Sequence, residues 1–534
     1  MNALPTQPAY RLALAPEEER WLVEGFWSER AVGIVGGEPK CCKSFLALDL
    51  AVSVASGKPF LRRFPVHRPG CVLLFAAEDS NREQTEGEQV GTMGTRSKCR
   101  STGLASAGVL LALALAGPAS GQRSATVYYG QGNGNSGYPS ISADGRFVAF
   151  ESKATNLVWG DTNGWKDVFV HDRQNGTTER VSVNSAGKQG NQKSLSPSIS
   201  ADGRHVAFES FAKNLVGGGG DTNGAPDIFV RDRQNGTTER VSIDSSGTQG
   251  TSWSINPSIS SNARYVAFDG TSSNLVNGDT NGWGDVFVRD RQNGTTELVS
   301  IDSGGTQGDH HSWLASISAD GRYVAFQSGA SNLVNGDTNG AIDIFVRDRQ
   351  NGTTERVSVD SGGAQGISSS LWPSISADGR YVVFMNWFDD LVGEETNNGY
   401  DIFVRDRQNG TTDCVSVDSS GAKGNAGSLT HSISADGRYV AFGSAASNLV
   451  HGDTNGLSDV FVRDRQNGTT ERVSIDSSGA QGNAYSFRPS ISADGRYVAF
   501  ESQASNLVYG DTNGREDVFV HDRQNGTTER VSVN

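Results

Sequence analysis

The chain has 534 residues, a net charge of −14, 66 glycines and 35% hydrophobic residues. This length exceeds what one ordinary core organises, so we expect more than one domain. The acidic balance argues against a nucleic-acid partner, because binding a polyanion needs clustered lysine and arginine. Of the five cysteines only Cys414 lies beyond residue 125, so no disulfide framework is expected there.

Residues 1–90 predict a mixed α/β fragment. The words "AVGIVGG" (Ala31–Gly37) and "CVLLFAAEDS" (Cys71–Ser80) are apolar runs with the length of buried strands. Between them, Lys43–Gly57 has the apolar spacing of a helix and ends at a glycine. This order of strand, helix and strand is typical of an α/β domain, here a truncated one.

The predicted first strand and helix are joined by a damaged phosphate loop. The word "GEPKCCKS" (Gly37–Ser44) fits G-x-x-x-x-G-K-S, except that Cys42 replaces the glycine that lets backbone N–H groups approach phosphates. The fragment resembles the start of a RecA-like, RepA-type AAA P-loop ATPase. The resemblance implies that Gly37, Lys43 and Ser44 bind nucleotide, with Lys43 at the β- and γ-phosphates and Ser44 at Mg²⁺. Such a core needs more strands than residues 1–90 offer, and it also needs an acidic residue that positions the metal. ATP and Mg²⁺ are therefore expected only if the fragment is functional.

Residues 91–125 predict a signal-peptide-like helix and a linker. A basic stretch at 96–100 precedes the apolar run Gly103–Ala116, and small residues offer cleavage after Ala119 or Gly121. The run is shorter than the about 20 residues of a membrane-spanning helix, so we expect no membrane span. The alternative is a buried helix, but the basic flank and the small-residue exit favour a signal.

The internal position of this signal makes Met93 a candidate initiator. Started at Met93, the protein is expected to be secreted, periplasmic or on the cell surface. With the signal unused, it is expected to be cytoplasmic. We interpret the chain as a fusion or a mis-started reading frame, and we expect residues 81–125 to be poorly ordered.

The rest of the chain is a sevenfold repeat, which is typical of a repeat architecture. The period is 58 residues in five intervals and 60 in one, where the glycine run Gly217–Gly220 adds two residues. The isoleucine of the word "SIS" marks the seven copies at Ile141, Ile199, Ile259, Ile317, Ile375, Ile433 and Ile491.

The sixth repeat illustrates the four strands predicted in each copy. A short strand ends at the turn Asp436-Gly437, and Tyr439–Phe442 forms the second strand. A loop rich in Asn, Gly and Asp leads to the third strand, Asp459–Arg465. The dipeptide Asn467-Gly468 is a strong hairpin signal, and Glu471–Asp476 forms the fourth strand.

These strands are apolar on both faces, so neighbouring copies must cover both faces. A linear stack would need polar caps, yet the terminal repeats resemble the middle ones, with Glu151 and Glu501 in the same slot. We therefore expect an all-β, seven-bladed β-propeller over residues 126–534. Two closures stay open: Ser124–Tyr129 as an outer strand before blade 1, or Glu529–Val533 completing blade 7.

One motif of the repeat, "SADGRYVAF", resembles the repeat motif of the TolB-like (WD-type) β-propeller family. It occurs at Ser318–Phe326, Ser434–Phe442 and Ser492–Phe500. The resemblance covers about residues 126–534. The third repeat departs from it, since "SSNARYVAF" (Ser260–Phe268) lacks the aspartate and the glycine. The resemblance implies a binding platform for a protein or glycan ligand, and we expect a monomer. Some members precede a hydrolase domain, but the sequence has no G-x-S-x-G elbow.

The loop between the second and third strands reads "GDTNGxxD" in most repeats and predicts a calcium site or a turn. Ca²⁺ takes about six to eight oxygens, so water would have to complete the shell. The alternative is that Asp and Asn cap their own backbone. The fifth repeat breaks the pattern with Glu395, Asn397 and Asn398. The calcium candidates are Asp161, Asn163, Asp167, Asp221, Asn223, Asp227, Asp279, Asn281, Asp285, Asp337, Asn339, Asp343, Asp453, Asn455, Asp459, Asp511, Asn513 and Asp517.

Two bands of residues differ between the copies, one just before the first strand and one inside "NGxxD". Aromatic loop residues suit ligand binding because they offer a large contact area at small entropic cost. The alternative is drift at exposed sites. The ligand-face candidates are Trp165, Trp253, Trp283, Trp313, Trp372 and Tyr485, and the bands also include Tyr138, His311, Tyr400 and Phe487.

The sequence thus favours a secreted or periplasmic, non-enzymatic propeller that acts as a binding platform, with calcium as a candidate stabilising ion. One rival is a P-loop ATPase with the propeller as a passenger. A second rival is a glycan-active propeller enzyme, which needs carboxylates converging on the channel. The first strands offer mainly serine and isoleucine, which argues against that rival.

Overall fold

The computed structural model describes residues 130–217, 220–387, 391–393 and 399–534 in full, and the backbone of two short strands near the N-terminus. The chain divides into two units, residues 1–129 and 130–534. In the first unit, β1 (Trp21–Val23) pairs antiparallel with β2 (Trp27–Ser28). The phosphate loop, the signal-like segment, residues 81–125 and the candidate strand 124–129 lie outside the described residues.

The second unit is a seven-bladed β-propeller, as predicted. It contains seven four-stranded antiparallel sheets, each built from four consecutive strands. The first three blades are β3 (Ser136–Ile141), β4 (Phe147–Ser152), β5 (Asp167–Asp172) and β6 (Thr177–Arg180); β7 (Ser194–Ile199), β8 (His205–Ser210), β9 (Asp227–Asp232) and β10 (Thr237–Arg240); and β11 (Ser254–Ile259), β12 (Tyr265–Gly270), β13 (Asp285–Asp290) and β14 (Thr295–Leu298).

Blades 4 to 7 repeat this plan. They are β15 (Ser312–Ile317), β16 (Tyr323–Ser328), β17 (Asp343–Asp348) and β18 (Thr353–Arg356); β19 (Ser370–Ile375), β20 (Tyr381–Trp387), β21 (Tyr400–Asp406) and β22 (Thr411–Cys414); β23 (Ser428–Ile433), β24 (Tyr439–Ser444), β25 (Asp459–Asp464) and β26 (Thr469–Arg472); and β27 (Ser486–Ile491), β28 (Tyr497–Ser502), β29 (Asp517–Asp522) and β30 (Thr527–Arg530).

The predicted fourth strand is misplaced in its bounds. In blade 6 it runs over Thr469–Arg472 and not over Glu471–Asp476. The strand begins directly after Gly468, whose φ is +67°, because Asp464 caps the turn by accepting the backbone N–H groups of Gln466 and Asn467. The turn of this hairpin is therefore shorter than the predicted strand bounds imply.

The hydrophobic core consists of layers between neighbouring blades. Phe442 and Phe461 of blade 6 are fully buried, and their rings stack with centroids 5.8 Å apart. Their layer also includes Val404 and Val415 of blade 5. Equivalent layers join blade to blade, including one that joins blade 7 to blade 1 through Val518 and its neighbours. The two-sided apolar strands thus find cover in adjacent copies, as expected.

A closed belt of backbone hydrogen bonds joins the turns between first and second strands. The N–H of Ala143 donates to the carbonyl of Ala201 at 3.0 Å, and each turn repeats this contact with the next blade. The last turn returns to the first, with the N–H of Ala493 donating to the carbonyl of Ala143 at 3.0 Å. The donors in order are Ala143, Ala201, Ser261, Ala319, Ala377, Ala435 and Ala493.

The two ends of the propeller unit meet at the seam between blades 7 and 1. Strand β30 completes blade 7, and Val533 forms a β-bridge with Gln131. The N–H of Asn534 donates to the carbonyl of Gly130 at 3.0 Å. Within the chain the same bridge joins Val183 to Gln189 after blade 1. Residues 130–132 therefore take the place of an interblade loop, and no blade mixes strands from both ends.

Candidate functional site at the channel mouth

The "GDTNGxxD" loops are held by ion pairs with an arginine of the fourth strand. In blade 1, Arg180 Nη1 lies 3.2 Å from Asp161 Oδ1 and 3.7 Å from Asp167 Oδ2. Asp167 is fully buried and also accepts hydrogen bonds from Ser182 Oγ at 2.5 Å and Asn163 Nδ2 at 2.7 Å. Burial raises the pKa of Asp167 to about 6. The positive charge at this loop thus comes from the chain itself.

Five blades have this arginine and two do not. Leu298 replaces it in blade 3 and Cys414 in blade 5. Among the described residues, no group of three or more His, Cys, Asp and Glu side chains is arranged to hold a metal ion. Calcium binding stays a prediction, and Glu395, Asn397 and Asn398 lie outside the described residues. The arginines are Arg180, Arg240, Arg356, Arg472 and Arg530.

Each first strand contains a bulge at its third residue. In blade 1, the register between β3 and β4 shifts between Gly137 and Ser140, and the bulge residue Tyr138 has a φ of +51°. Such bulges turn a side chain away from the regular strand direction. The bulge residues are Tyr138, Ser196, Asn256, Leu314, Trp372, Thr430 and Arg488.

The preceding blade caps most of these bulges with a second-strand side chain. The N–H of Ser196 donates to Glu151 Oε2 at 3.0 Å, and the N–H of Trp372 donates to Gln327 Oε1 at 2.8 Å. We call the bulge residues and this second-strand position the mouth ring. Its second-strand members are Glu151, Glu209, Asp269, Gln327, Met385, Gly443 and Glu501.

The mouth ring lies at one end of the central channel. First strands of neighbouring blades contact each other, as β3 does with β7 and β27, so they line the channel. The bulge lies near the start of each first strand. The loop between second and third strands reaches the same end, since the N–H of Ser194 donates to the carbonyl of Lys166 at 2.8 Å.

Carboxylates form an acidic arc over blades 7, 1, 2 and 3. Lys166 Nζ lies 2.6 Å from Glu151 Oε1, and Arg488 pairs with Glu501. Asn256 Nδ2 donates to Asp269 Oδ1 at 3.2 Å. Burial raises the pKa of Asp269 to about 8 and also raises the pKa values of Glu209 and Glu501. The other three blades present the neutral residues Gln327, Met385 and Gly443.

The first strands offer mainly serine and isoleucine, as predicted, but second strands bring carboxylates to the same end of the channel. Glu151, Glu209, Asp269 and Glu501 each accept the N–H of the bulge residue of the next blade. The signal was in the sequence. The residue after "VAF" or "VVF" differs between blades inside an otherwise constant word, so an alignment of the seven copies would have found it.

The predicted ligand-face residues occupy three kinds of position. Trp165 and Trp283 lie in loops between second and third strands, as predicted. The other band enters the first strand instead of preceding it. Trp253 and Tyr485 lie one residue before β11 and β27, Trp313 lies within β15, and Trp372 is the bulge residue of β19 with 40% of its surface exposed.

Aromatic residues of blades 3 and 4 form a cluster on the same face. The ring of Trp283 stacks on His310 with centroids 4.7 Å apart and meets His311 edge-on at 4.8 Å. His311 Nδ1 accepts the N–H of Gly284 at 2.7 Å, and burial lowers the pKa of His311. We call the following residues the aromatic cluster: Trp253, Trp283, His310, His311 and Trp313.

Residues 2–92 match the family model of an AAA domain. This match confirms the resemblance predicted for residues 1–90, and it concerns the N-terminal unit alone. The nucleotide-binding candidates Gly37, Lys43 and Ser44 fall within it but outside the described residues. No curated protein matches the chain.

Solved structures similar to the chain include TolB from Acinetobacter baumannii, at 15% identity and a TM-score of 0.34. The match covers 64% of this chain and 63% of that protein, so the chain spans less than two thirds of its length. The β-propeller domain of the Trilobed protease from Pyrococcus furiosus matches at 10% identity and a TM-score of 0.45, covering 74% and 97%. Oligogalacturonate lyase from Vibrio parahaemolyticus matches at 11% and 0.43, covering 74% and 90%. The assignment of the propeller rests on its own seven sheets.

Proposed function

We propose that the propeller is a non-enzymatic binding module whose ligand sits at the mouth ring. The observation that supports this is where the copies differ. Framework residues recur in every blade, such as the aspartate that opens the third strand and its serine partner, Asp167 and Ser182 in blade 1. At the mouth ring the copies differ in charge, size and aromaticity, from Arg488 to Trp372.

The asymmetry of the ring favours one ligand in one orientation. Seven identical blades would offer the same chemistry seven times around the channel. Here the acidic arc occupies blades 7, 1, 2 and 3, while Gln327, Met385 and Gly443 make the opposite side neutral. A protein or glycan ligand that contacts several blades at once would bind in the orientation that matches this difference in charge.

The carboxylate contacts support binding over catalysis. Glu151 and Glu501 each pair with a cation and accept a backbone N–H. A general acid or base needs a proton that it can exchange with substrate. Two fully engaged carboxylates are better suited to fixing the shape and charge of a recognition surface.

We further propose that the propeller works outside the cytoplasm as a monomer. The signal-like segment Met93–Gln122 supports export. In the part of the chain that the structure describes, no helix has the length and apolar character to cross a bilayer. N-terminal sequencing of the mature protein tests export, because cleavage predicts a start near Ser120 or Gln122.

A panel of glycans and peptides tests the binding function. The wild-type chain is compared with Trp372→Ala at the mouth ring and with Trp159→Ala. Trp159 is the matched control, since it is the same residue type, is 89% exposed and lies outside the mouth ring. We expect a ligand that Trp372→Ala loses and Trp159→Ala keeps. Equal binding by both variants, or no ligand at all, contradicts the proposal.

A second candidate function is nucleotide binding by the N-terminal unit, which the AAA domain match over residues 2–92 favours. Gly37, Lys43 and Ser44 would hold ATP and Mg²⁺. ATP binding and hydrolysis are measured on the full chain and on Lys43→Ala. Turnover that this variant abolishes would support an ATPase with the propeller as a passenger.

A further inference from the structure

Glu209 is the one acid of the mouth ring that has no cation or side-chain amide partner among the described residues. It is 7% exposed. Its Oε2 accepts the N–H of Asn256 at 3.2 Å. Its Oε1 has no hydrogen-bond partner in the described residues and is not among the fully buried unpaired atoms, so it keeps contact with solvent. A nearly buried carboxylate with one free oxygen favours a positive ligand group.

The sequence explains why Glu209 differs from its equivalents. Lys166 neutralises Glu151 from the loop of blade 1, but Pro226 occupies that position in blade 2. Arg488 neutralises Glu501 from the bulge of blade 7, but the bulge residue of blade 2 is Ser196. Glu209 therefore has neither of the two cations that neutralise Glu151 and Glu501.

Lys193 does not pair with Glu209 in the way that Lys166 pairs with Glu151. Lys193 is the residue directly before β7, and its Nζ lies 4.2 Å from the ring centroid of Phe211. The positive charge of Lys193 acts on Glu209 only through space. Glu151 also interacts electrostatically with Glu209, whereas Asp269, with a pKa of about 8, is mostly protonated at neutral pH and adds little negative charge. The negative charge at this site therefore comes from Glu209 and Glu151, and it favours a cation.

One member of the aromatic cluster is close in sequence to the residue that Glu209 caps. Trp253 precedes the strand that holds Asn256, which binds both Glu209 and Asp269. The far edge of the Trp253 ring comes to within 3.7 Å of the position of a Cβ at Gly284, beside His311. Aromatic faces accept methylene groups and are also attracted to cations.

The type of cation follows from these groups. A divalent metal ion needs more oxygens than one free carboxylate oxygen supplies. A guanidinium prefers a carboxylate that can accept two parallel bonds, and Glu209 has only Oε1 free. A primary ammonium is a compact donor that one oxygen can accept.

We propose that the mouth ring binds a primary alkylammonium group at Glu209, carried by a free polyamine or by a lysine side chain of a partner. This proposal rests on the proposed binding function and specifies its ligand chemistry.

Calorimetry and ligand-observed NMR on the full chain test the proposal with hexamethylenediamine as the probe and hexanediol as its neutral analogue. We expect the diamine to bind and the diol not to bind. Glu209→Gln keeps an acceptor for the Asn256 N–H and removes the charge, so it should weaken diamine binding by about tenfold or more. Glu179→Gln is the control, since Glu179 is half exposed on the outer strand and pairs with Arg233.

A single-lysine peptide and its acetylated form distinguish the two sources of the ammonium. Tighter binding of the peptide favours a lysine of a partner, and tighter binding of the diamine favours a polyamine. Equal diamine affinity of the wild type and Glu209→Gln, or equal loss in Glu179→Gln, overturns the proposal. If a neutral panel ligand still depends on Trp372, the binding function stands while this inference fails.

Discussion

The seam between blades 2 and 3 differs from the other seams at two residues that face each other. Elsewhere a tyrosine or phenylalanine ring packs on the turn glycine of the next blade. A Cβ at Gly437 would lie 2.1 Å from the ring of Tyr381. At the exceptional seam the smaller His205 replaces the ring and Ala263 replaces the glycine, with a φ of +57°. The smaller ring makes room for the alanine methyl group.

Ala263→Gly should therefore stabilise the propeller. An alanine at positive φ costs about 1 kcal/mol or more, and glycine removes that cost. We expect the free energy of unfolding, measured in urea, to rise by about 1 kcal/mol. The matched change Gly437→Ala should lower it by several kcal/mol, and adding Tyr381→His should recover part of the loss. No recovery in the double variant argues against the paired explanation.

Asp269 provides a pH dependence with a defined sign. Burial raises its pKa from an ordinary value of 3.8 to about 8, so at neutral pH folding must add a proton to this carboxyl. Its favourable contribution is complete below pH 3.8 and is lost as the pH rises through 8. Asp269→Asn cannot ionise and still offers an acceptor for the Leu314 N–H.

The stability advantage of Asp269→Asn over the wild type should grow between about pH 4 and pH 8, to an order of 2–4 kcal/mol. Urea unfolding across this pH range measures it. Gln327→Asn tests the same position in blade 4 without a titrating group and should show no such trend. A pH-independent difference for Asp269→Asn rules out the buried proton as its cause.

At the scale of the element, the arginine of the fourth strand fixes the loop between the second and third strands. Arg472 Nη1 lies 3.4 Å from Asp453 Oδ1 and 3.7 Å from Asp459 Oδ2. Arg472→Leu leaves two poorly hydrated carboxylates without a counter-charge, so it should destabilise the propeller by about 3 kcal/mol. Thermal and urea unfolding measure the loss. A change below 0.5 kcal/mol, the range of ordinary surface substitutions, would mean that the pair is not structural.

Blade 3 offers a test of whether an arginine or a calcium ion supplies the positive charge at these loops. Leu298 leaves Asp279 and Asp285 without an arginine. If the loops bind calcium, the ion should bind most readily here, and Leu298→Arg should abolish the heat of binding. Calcium binding that survives Leu298→Arg and appears in every blade would contradict this order of preference.

The sequence predicted the elements better than the site. The period, the two-sided apolar strands and the turn residues follow from local patterns, so the blades could be derived from residues alone. The bulges could not, because Tyr138 or Trp372 at positive φ has no local sequence signal. The cap on most bulges comes from the neighbouring blade, so Glu209 acquires its role only when blade 3 is in place.

At the scale of the whole molecule, the seam between blades 7 and 1 has the contacts of an ordinary seam but no covalent link. Arg173 Nε lies 2.5 Å from Glu529 Oε1, as Arg233 does from Glu179 at 2.6 Å between blades 1 and 2. Its apolar layer joins blade 7 to blade 1 in the same way. The ring is thus closed by packing, hydrogen bonds and this ion pair.

Gln131→Ala and Gln189→Ala should therefore differ in the amide hydrogen exchange of the blades beside each seam. Gln131 Nε2 donates to Thr512 Oγ1 at 3.1 Å and its Oε1 accepts from Arg530 Nη1 at 3.0 Å, while Gln189 makes the related contact with Thr162 inside the chain. Loss of side-chain bonds should lower stability by about 1 kcal/mol in both. Only Gln131→Ala should speed amide hydrogen exchange in blades 1 and 7 together, because only that seam can open without stretching the chain. Equal exchange in the two variants would mean that the closing seam is as secure as the others.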